Sequence, residues 1–318
     1  MAVRQDMGTG SIKKLMVQMA VPALVGQVIN LLYNIVDRIY IGHIPQIGGM
    51  ALTGVGLFTP ILMLITAFAL LAGAGGAPRA AIAMGRGDRD GAEKIMGNCF
   101  AVLMILAVVL TAVFYVTAPA LLRLFGASDA TLPYAVTYGR IYILGTVFVL
   151  TVMGMNTFIT TQGFAKISML TTVIGAVINI VLDPIFIFLL DMGVAGAALA
   201  TVLSQAVSAL WILKFLMGSG TILKLRKENL RLEPAVIGPC LGLGVSSFVM
   251  ISTESILSVS FTSSLARFGG DVAVGAMTGL TYGKTLAEAF EIGSTLAASV
   301  ITSSENVCPR FLPEEFGL

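Results

Sequence analysis

The chain has 318 residues, of which 57% are hydrophobic and only 11% are charged. Soluble globular proteins are closer to half apolar and a quarter charged, so this composition excludes an ordinary cytosolic enzyme, a disordered protein and a secreted disulfide scaffold. The net charge of +2 gives no reason to expect a nucleic-acid partner. Three scattered cysteines and one histidine, His43, form no metal-ligand or catalytic pattern. We therefore expect a polytopic membrane protein, not an enzyme, with no catalytic residue, cofactor or metal.

Long apolar runs, taken in chain order, predict an all-α fold. A helix needs about 20 apolar residues to cross the hydrocarbon core, and the runs lack the two-residue alternation of barrel strands. An eighth run near 271–300 is weak because Lys284, Glu288 and Glu291 interrupt it. The stronger predicted helices cover residues 15–41, 51–77, 96–118, 134–161, 167–190, 192–214 and 236–266.

Basic residues are distributed unequally between the two ends of these helices. With a cytoplasmic N-terminus, most Lys and Arg residues fall on the cytoplasmic side, in the N-terminal segment, 79–94, Lys166 and 214–231. Because Lys and Arg accumulate in cytoplasmic loops, the sequence predicts a multi-pass protein of the plasma or inner membrane with its N-terminus inside. The loop 85–90 is interpreted as a solvated connector, since it lacks the Gly-Lys-Ser/Thr ending of a phosphate-binding loop.

A short internal repeat suggests two related halves. Segment 48–55 resembles segment 269–276, and each follows a long helix with an embedded acid, Asp37 or Glu254. Halves of the same orientation, with the substrate path between them, recur in transporters. A second complete copy would extend past residue 318, so we expect one six-helix lobe plus the first one or two helices of a second. The expected parts are a cytoplasmic segment 1–14, a lobe 15–217, a basic cytoplasmic linker 218–235, the start of the second lobe 236–277, and a divergent tail 278–318.

Polar side chains inside apolar helices are the candidate functional residues. A carboxylate at a helix centre in the membrane costs at least about 2.5 kcal/mol, so Asp37 and Asp183 are candidates by default. Two plainer interpretations stay open: amides and hydroxyls that only tie helices together, and a local ion pair between Asp37 and Arg38. Residues on shared helical faces are Gln27, Asn30, Asn34 and Asp37 in the first helix and Asn179 and Asp183 in the fifth.

These residues stand in motifs that resemble those of the multidrug and toxic compound extrusion (MATE) transporters. The motifs are Val21-Pro22-Ala23, Leu32 to Asp37, the Gly85 to Asp88 loop, and Asn179 to Pro184 followed by Gly193 to Ala198. The resemblance covers roughly residues 10–277, with several motifs in the same order and spacing. It implies twelve helices in two lobes, and export of organic cations and drugs in exchange for protons or sodium.

The resemblance also implies roles for individual residues. A first-lobe cation or proton site falls at Asp37, Asn179, Asp183 and Thr201, and Glu254 matches a second-lobe cation-binding carboxylate. A substrate pocket is implied near Asn30, Tyr33 and Asn156, and we assign Gln27 and Asn34 to it as well. Pro22 matches a proline at which the first helix bends; a static kink is the alternative. The expected partners are small organic cations and membrane lipid.

Residues after Met277 depart from the family pattern, and our hypothesis is a frameshift or premature stop that truncates the second lobe. This leaves a non-transporting fragment as one alternative function. A second is a lipid-linked oligosaccharide flippase of the same superfamily. A flippase would favour basic residues deep inside the helices to meet a pyrophosphate. The first seven predicted helices offer Arg140, near an interface, and otherwise only Arg38 and Lys214 at helix ends.

Overall fold

The computed structural model describes the backbone of residues 12–281 and the side chains of residues 20–278. Within this range the chain forms eight α-helices and no strand, as expected where lipid leaves every backbone polar group to be satisfied internally. A π-helical turn, Ile185–Leu189, follows α6, and a 3₁₀ turn, Lys227–Leu230, precedes α8. The helices are α1 (Ile12–Gly42), α2 (Gly48–Gly85), α3 (Arg89–Leu124), α4 (Leu132–Leu144), α5 (Thr146–Thr161), α6 (Ala165–Pro184), α7 (Gly193–Met217) and α8 (Pro234–Thr281).

The helices confirm the predicted all-α polytopic fold, with one correction. Six helices of the described chain are long and apolar enough to cross a membrane, and α4 with α5 forms a seventh span bent by 58°. The sequence predicted one continuous helix over 134–161. The break falls at Gly145, where a side chain would collide with Val202 of α7, so the bend accommodates the neighbouring helix.

The outer surface of the lobe is apolar, as a lipid-facing surface requires. Val108, Val116 and Leu189 are 72%, 78% and 78% exposed. Inside, α2 is the central helix and packs against α3, α5 and α8. Gly73 of α2 lies so close to the backbone of Gly154 in α5 that any side chain would collide there. Small residues of this kind let membrane helices approach closely and gain van der Waals contact.

Helix α8 begins the second lobe and packs along α2. The Ser255 hydroxyl donates to the Pro60 carbonyl over 2.9 Å. At Gly270, where φ is 63°, the helix breaks, and the following residues contact α2 again, with the Thr53 hydroxyl donating to the Asp271 carbonyl over 3.3 Å. The two copies of the internal repeat therefore contact each other. Of the predicted eighth helix near 271–300, residues 271–281 are helical and the remainder lies outside the described residues.

The predicted linker between the lobes is fastened to the first lobe by Gln162, at the C-terminal end of α5. The side-chain oxygen of Gln162 accepts hydrogen bonds from the Thr221 hydroxyl at 2.8 Å, the Ile222 N–H at 2.9 Å and the Leu223 N–H at 2.8 Å. Gln162 is only 3% exposed, so these bonds form away from water. We call the side of the lobe that carries this segment the linker side.

The basic part of the linker is held by a buried acid as well. Glu93 of α3 is 1% exposed, accepts the Lys224 N–H at 3.0 Å and pairs with the Arg226 guanidinium at 2.9 Å. Further along, the Glu233 N–H donates to the Asn98 side chain over 2.7 Å. The basic run therefore makes specific contacts, beyond the orientation signal that the sequence predicted.

Candidate functional site

The two acids singled out from the sequence lie close together, on the side of the lobe opposite the linker. Asp37 is near the end of α1 and is 5% exposed, and Asp183 is near the end of α6 and is 0% exposed. α1 packs chiefly on α6, and the two carboxylates are near enough for their charges to interact. Arg38, next to Asp37, is 6% exposed and its charge also acts on Asp37.

A tight connection between α6 and α7 positions Asp183. Pro184 directly follows it, and the π-helical turn continues the chain. The Met192 N–H donates to the Phe186 carbonyl over 3.0 Å, and Gly196 of α7 fits against that same backbone, where a side chain would collide. The two helices are consequently close enough for their polar side chains to meet.

Asn179 and Thr201 complete a polar cluster with the acids. The Asn179 amide donates to Asp183 Oδ1 at 3.2 Å and to Thr201 Oγ1 at 3.4 Å. Within the described chain, Asp37 Oδ1, Asp183 Oδ2 and Asn179 Oδ1 are buried without a hydrogen-bond partner. Hard cations take oxygen ligands of this kind, and a carboxylate oxygen also takes a proton. The four predicted first-lobe residues therefore form one acidic cluster.

Three tyrosines border the acidic cluster. The charge of Asp37 acts on Tyr33, Tyr138 and Tyr142, and the Tyr138 side chain lies near Thr201. Tyr33 was assigned to the substrate pocket, whereas it lies beside the acids. Tyr138 and Tyr142 were missed, although tyrosines four residues apart in an apolar span are a usable signal of a polar environment.

Other predicted substrate residues surround a separate cavity of about 230 Å³ between α1, α5 and α6, toward the linker side. Gln27 is exposed at this cavity, and Asn30 and Asn156 are half-buried. The Asn156 amide donates to the Ser168 carbonyl over 3.4 Å. The lining is otherwise apolar or neutral and includes Pro22, Gly26, Thr157, Thr160, Met169 and Thr172.

Asn34 connects the cavity to the acidic cluster. Its amide donates to the Asn30 carbonyl at 2.7 Å and to Asn30 Oδ1 at 2.8 Å. Since Asn30 lines the cavity and Asp37 lies about one turn beyond Asn34, one face of α1 carries a continuous polar stretch between the two. Pro22, inside the uninterrupted helix α1, forms part of the cavity wall.

Glu254 lies apart from the acidic cluster. It is an exposed residue of α8 and lines a different cavity of about 430 Å³ between α2 and α8, together with Thr59, Ser258 and Thr262. No residue of the acidic cluster lines this cavity within the described chain. Glu254 and Asp37 therefore belong to two separate places in the fold.

Comparisons with known proteins agree with this architecture. The MatE family model matches residues 22–185. The chain is 25% identical over 259 residues to the multidrug export protein MepA of Staphylococcus haemolyticus, a match covering 81% of this chain and 57% of that protein. It is 28% identical over 209 residues to the probable multidrug resistance protein YpnP of Bacillus subtilis, covering 65% of this chain and 46% of YpnP. The chain thus spans about half the length of these relatives.

Solved structures have the same fold. The MATE multidrug transporter DinF-BH in complex with rhodamine 6G has a TM-score of 0.80 and 29% identity, over 94% of this chain and 74% of that one. An inward-facing multidrug resistance MATE family transporter of the MOP superfamily has a TM-score of 0.75 and 30% identity, and the match covers 83% of this chain and 60% of that one. The family match, the helices and the structural likeness lead to one conclusion: the chain belongs to the MATE family of multi-pass membrane transporters.

Proposed function

We propose that this chain forms the ion-coupling lobe of a multidrug efflux antiporter of the plasma membrane, with its N-terminus in the cytoplasm. The observation that carries the proposal is the pair of buried acids, Asp37 and Asp183. Holding two carboxylates out of water is costly unless a proton or cation compensates their charge. A structural role alone would be met by hydroxyls or amides at a lower cost.

Competition for the acidic cluster supplies the coupling. A proton or a sodium ion at Asp37 or Asp183 cancels the negative charge that attracts an organic cation. The polar stretch through Asn34 and Asn30 joins this charge to the cavity, so occupancy of one region alters the other. Pro22 removes one backbone hydrogen bond of α1 and lets the helix bend as occupancy changes. An ion gradient then shifts the population of conformations open to either side of the membrane.

The cavity beside Asn156 holds only part of a substrate. Its volume of about 230 Å³ falls below the roughly 300–1,000 Å³ typical of ligand pockets. Gln27 is exposed at this cavity, so the rest of a bound compound would extend beyond the described cavity past α1. Neutral amides and hydroxyls suit varied organic compounds, while the acids supply the preference for positive charge.

Binding of the dye rhodamine 6G, which a structural neighbour holds, tests the proposal on the purified chain. We expect more acidic pH or added Na⁺, at constant ionic strength, to weaken dye binding several-fold. Asp37→Asn and Asp183→Asn should abolish that dependence. Asp191→Asn is the matched control, because Asp191 is exposed in the α6–α7 connection and its φ of 50° suits asparagine. Unaltered competition in Asp37→Asn would refute the role of the acidic cluster.

Export by this chain is measured separately, as loss of the same dye from cells that express it. Efflux that needs Asp37 supports antiport by the chain as it stands. Dye binding without efflux supports the alternative interpretation, a non-transporting lobe. A version extended to the relatives' length is the positive control for expression and dye loading.

A further inference from the structure

Two cysteines from different lobes meet on the linker side, away from the acidic cluster. Cys99 of α3 and Cys240 of α8 are both free thiols and 0% exposed. Helices α3 and α8 pack on each other, and the two thiols are close enough to interact. We propose that Cys99 and Cys240 are a redox-sensitive pair, which a peroxide converts into a disulfide that joins α3 of the first lobe to α8 of the second.

Helix α2 allows Cys99 and Cys240 to come together because it has two successive glycines, Gly75 and Gly76, where α3 and α8 pack against it. A side chain on Gly76 would collide with the sulfur of Cys99, and one on Gly75 would collide with the backbone carbonyl of Cys240. The Cys99 sulfur therefore packs directly against α2 at Gly76, and the backbone of α8 approaches α2 closely at Gly75. Cys99 and Cys240 are brought together by packing against a third element, which fixes their relative position.

A half-buried positive charge lies beside the pair. Arg79, about one turn beyond Gly75 on α2, is close enough to the Cys240 side chain for its charge to act on that thiol. The Cys240 thiol also donates to the Val236 carbonyl over 3.2 Å. Arg79 Nε is shielded from solvent and has no hydrogen-bond partner in the part of the chain that the structure describes. Reactive cysteines occur next to such cations.

Hydrogen peroxide is the one oxidant that formation of this disulfide requires. The Cys240 thiolate attacks one oxygen of hydrogen peroxide, the O–O bond breaks, and a sulfenic acid and hydroxide form. The sulfur of Cys99 then attacks the Cys240 sulfur, the S–S bond forms, the S–O bond breaks, and the proton of Cys99 leaves with the oxygen as water. In sum two thiols are oxidised and one peroxide is reduced to two waters. Hydrogen peroxide is close to water in size, and Gly238 and Pro239, next to Cys240, are exposed.

The test is performed on the purified chain carrying Cys308→Ser, because the third cysteine lies outside the described residues. After brief exposure to hydrogen peroxide, the chain is denatured, labelled with a maleimide, digested and analysed by mass spectrometry. We expect Cys99 and Cys240 to lose labelling together, a linked peptide containing both, and full recovery with dithiothreitol. Cys99→Ser should stop the reaction at a sulfenic acid on Cys240, which dimedone traps.

The role of Arg79 is tested by rate. Arg79→Gln should slow disulfide formation about tenfold, whereas Arg86→Gln, in the exposed α2–α3 loop, should leave the rate unchanged. Circular dichroism before oxidation verifies that each variant keeps its helices. Continued maleimide labelling of both cysteines after peroxide treatment, or loss of Cys240 labelling without a linked Cys99 peptide, would overturn the proposal. Neither result depends on whether the protein transports anything.

Discussion

Replacing Gln162 by alanine should release the linker from the first lobe. The substitution removes the one oxygen that accepts bonds from Thr221, Ile222 and Leu223, at 2.8, 2.9 and 2.8 Å. A hydrogen bond contributes about 1 kcal/mol net, so local opening of the linker should become about 3 kcal/mol easier. Since each 1.36 kcal/mol is a factor of ten, the open population should rise by roughly 100-fold.

Limited proteolysis measures this opening, because cleavage of a transiently open segment follows its population when closing is fast. Trypsin has several target residues in the linker, among them Lys224 and Arg226, and fragments cut there are identified by mass spectrometry. Gln205→Ala, which removes an amide from α7, is the matched control and should behave like the unmodified chain. If Gln162→Ala accelerates linker cleavage less than threefold, the linker is not held by these bonds and the reasoning is wrong.

Two further substitutions test the packing by thermal unfolding in detergent. Arg226→Ala should destabilise the chain by about 1–2 kcal/mol, because it removes the 2.9 Å ion pair of the buried Glu93 and leaves it only the 3.5 Å pair with Arg89. The exposed neighbour Lys227→Ala should be neutral. An equal effect of both would show that only the net charge of the linker matters. Gly244→Ala should cost about 1–3 kcal/mol, because its methyl group meets a carbonyl of α2. Gly242→Ala faces open space and should be neutral or stabilising, so similar melting of the two variants would contradict the close α2–α8 contact.

The sequence by itself determined that the protein is an all-α membrane protein, and it singled out the two acids that are candidate functional residues. Hydrophobic runs long enough to span a bilayer predict helices wherever they occur, because lipid offers no hydrogen-bond partner to any other backbone structure. Asp37 and Asp183 stood out for the same reason, since a charge among apolar residues is costly in any arrangement of the helices. Each of these arguments is local, so neither requires knowledge of which helices are neighbours.

The tertiary structure decided which of these residues meet. Asp37 and Asp183 approach each other because α1 packs on α6, while Glu254, equally conspicuous in the sequence, lies at another cavity. The contact between Cys99 and Cys240 depends on glycines of a third helix. Hydropathy describes how apolar one segment is. Helix packing depends on how the side chains of segments far apart in the chain fit together, and those contacts exist only in the folded lobe.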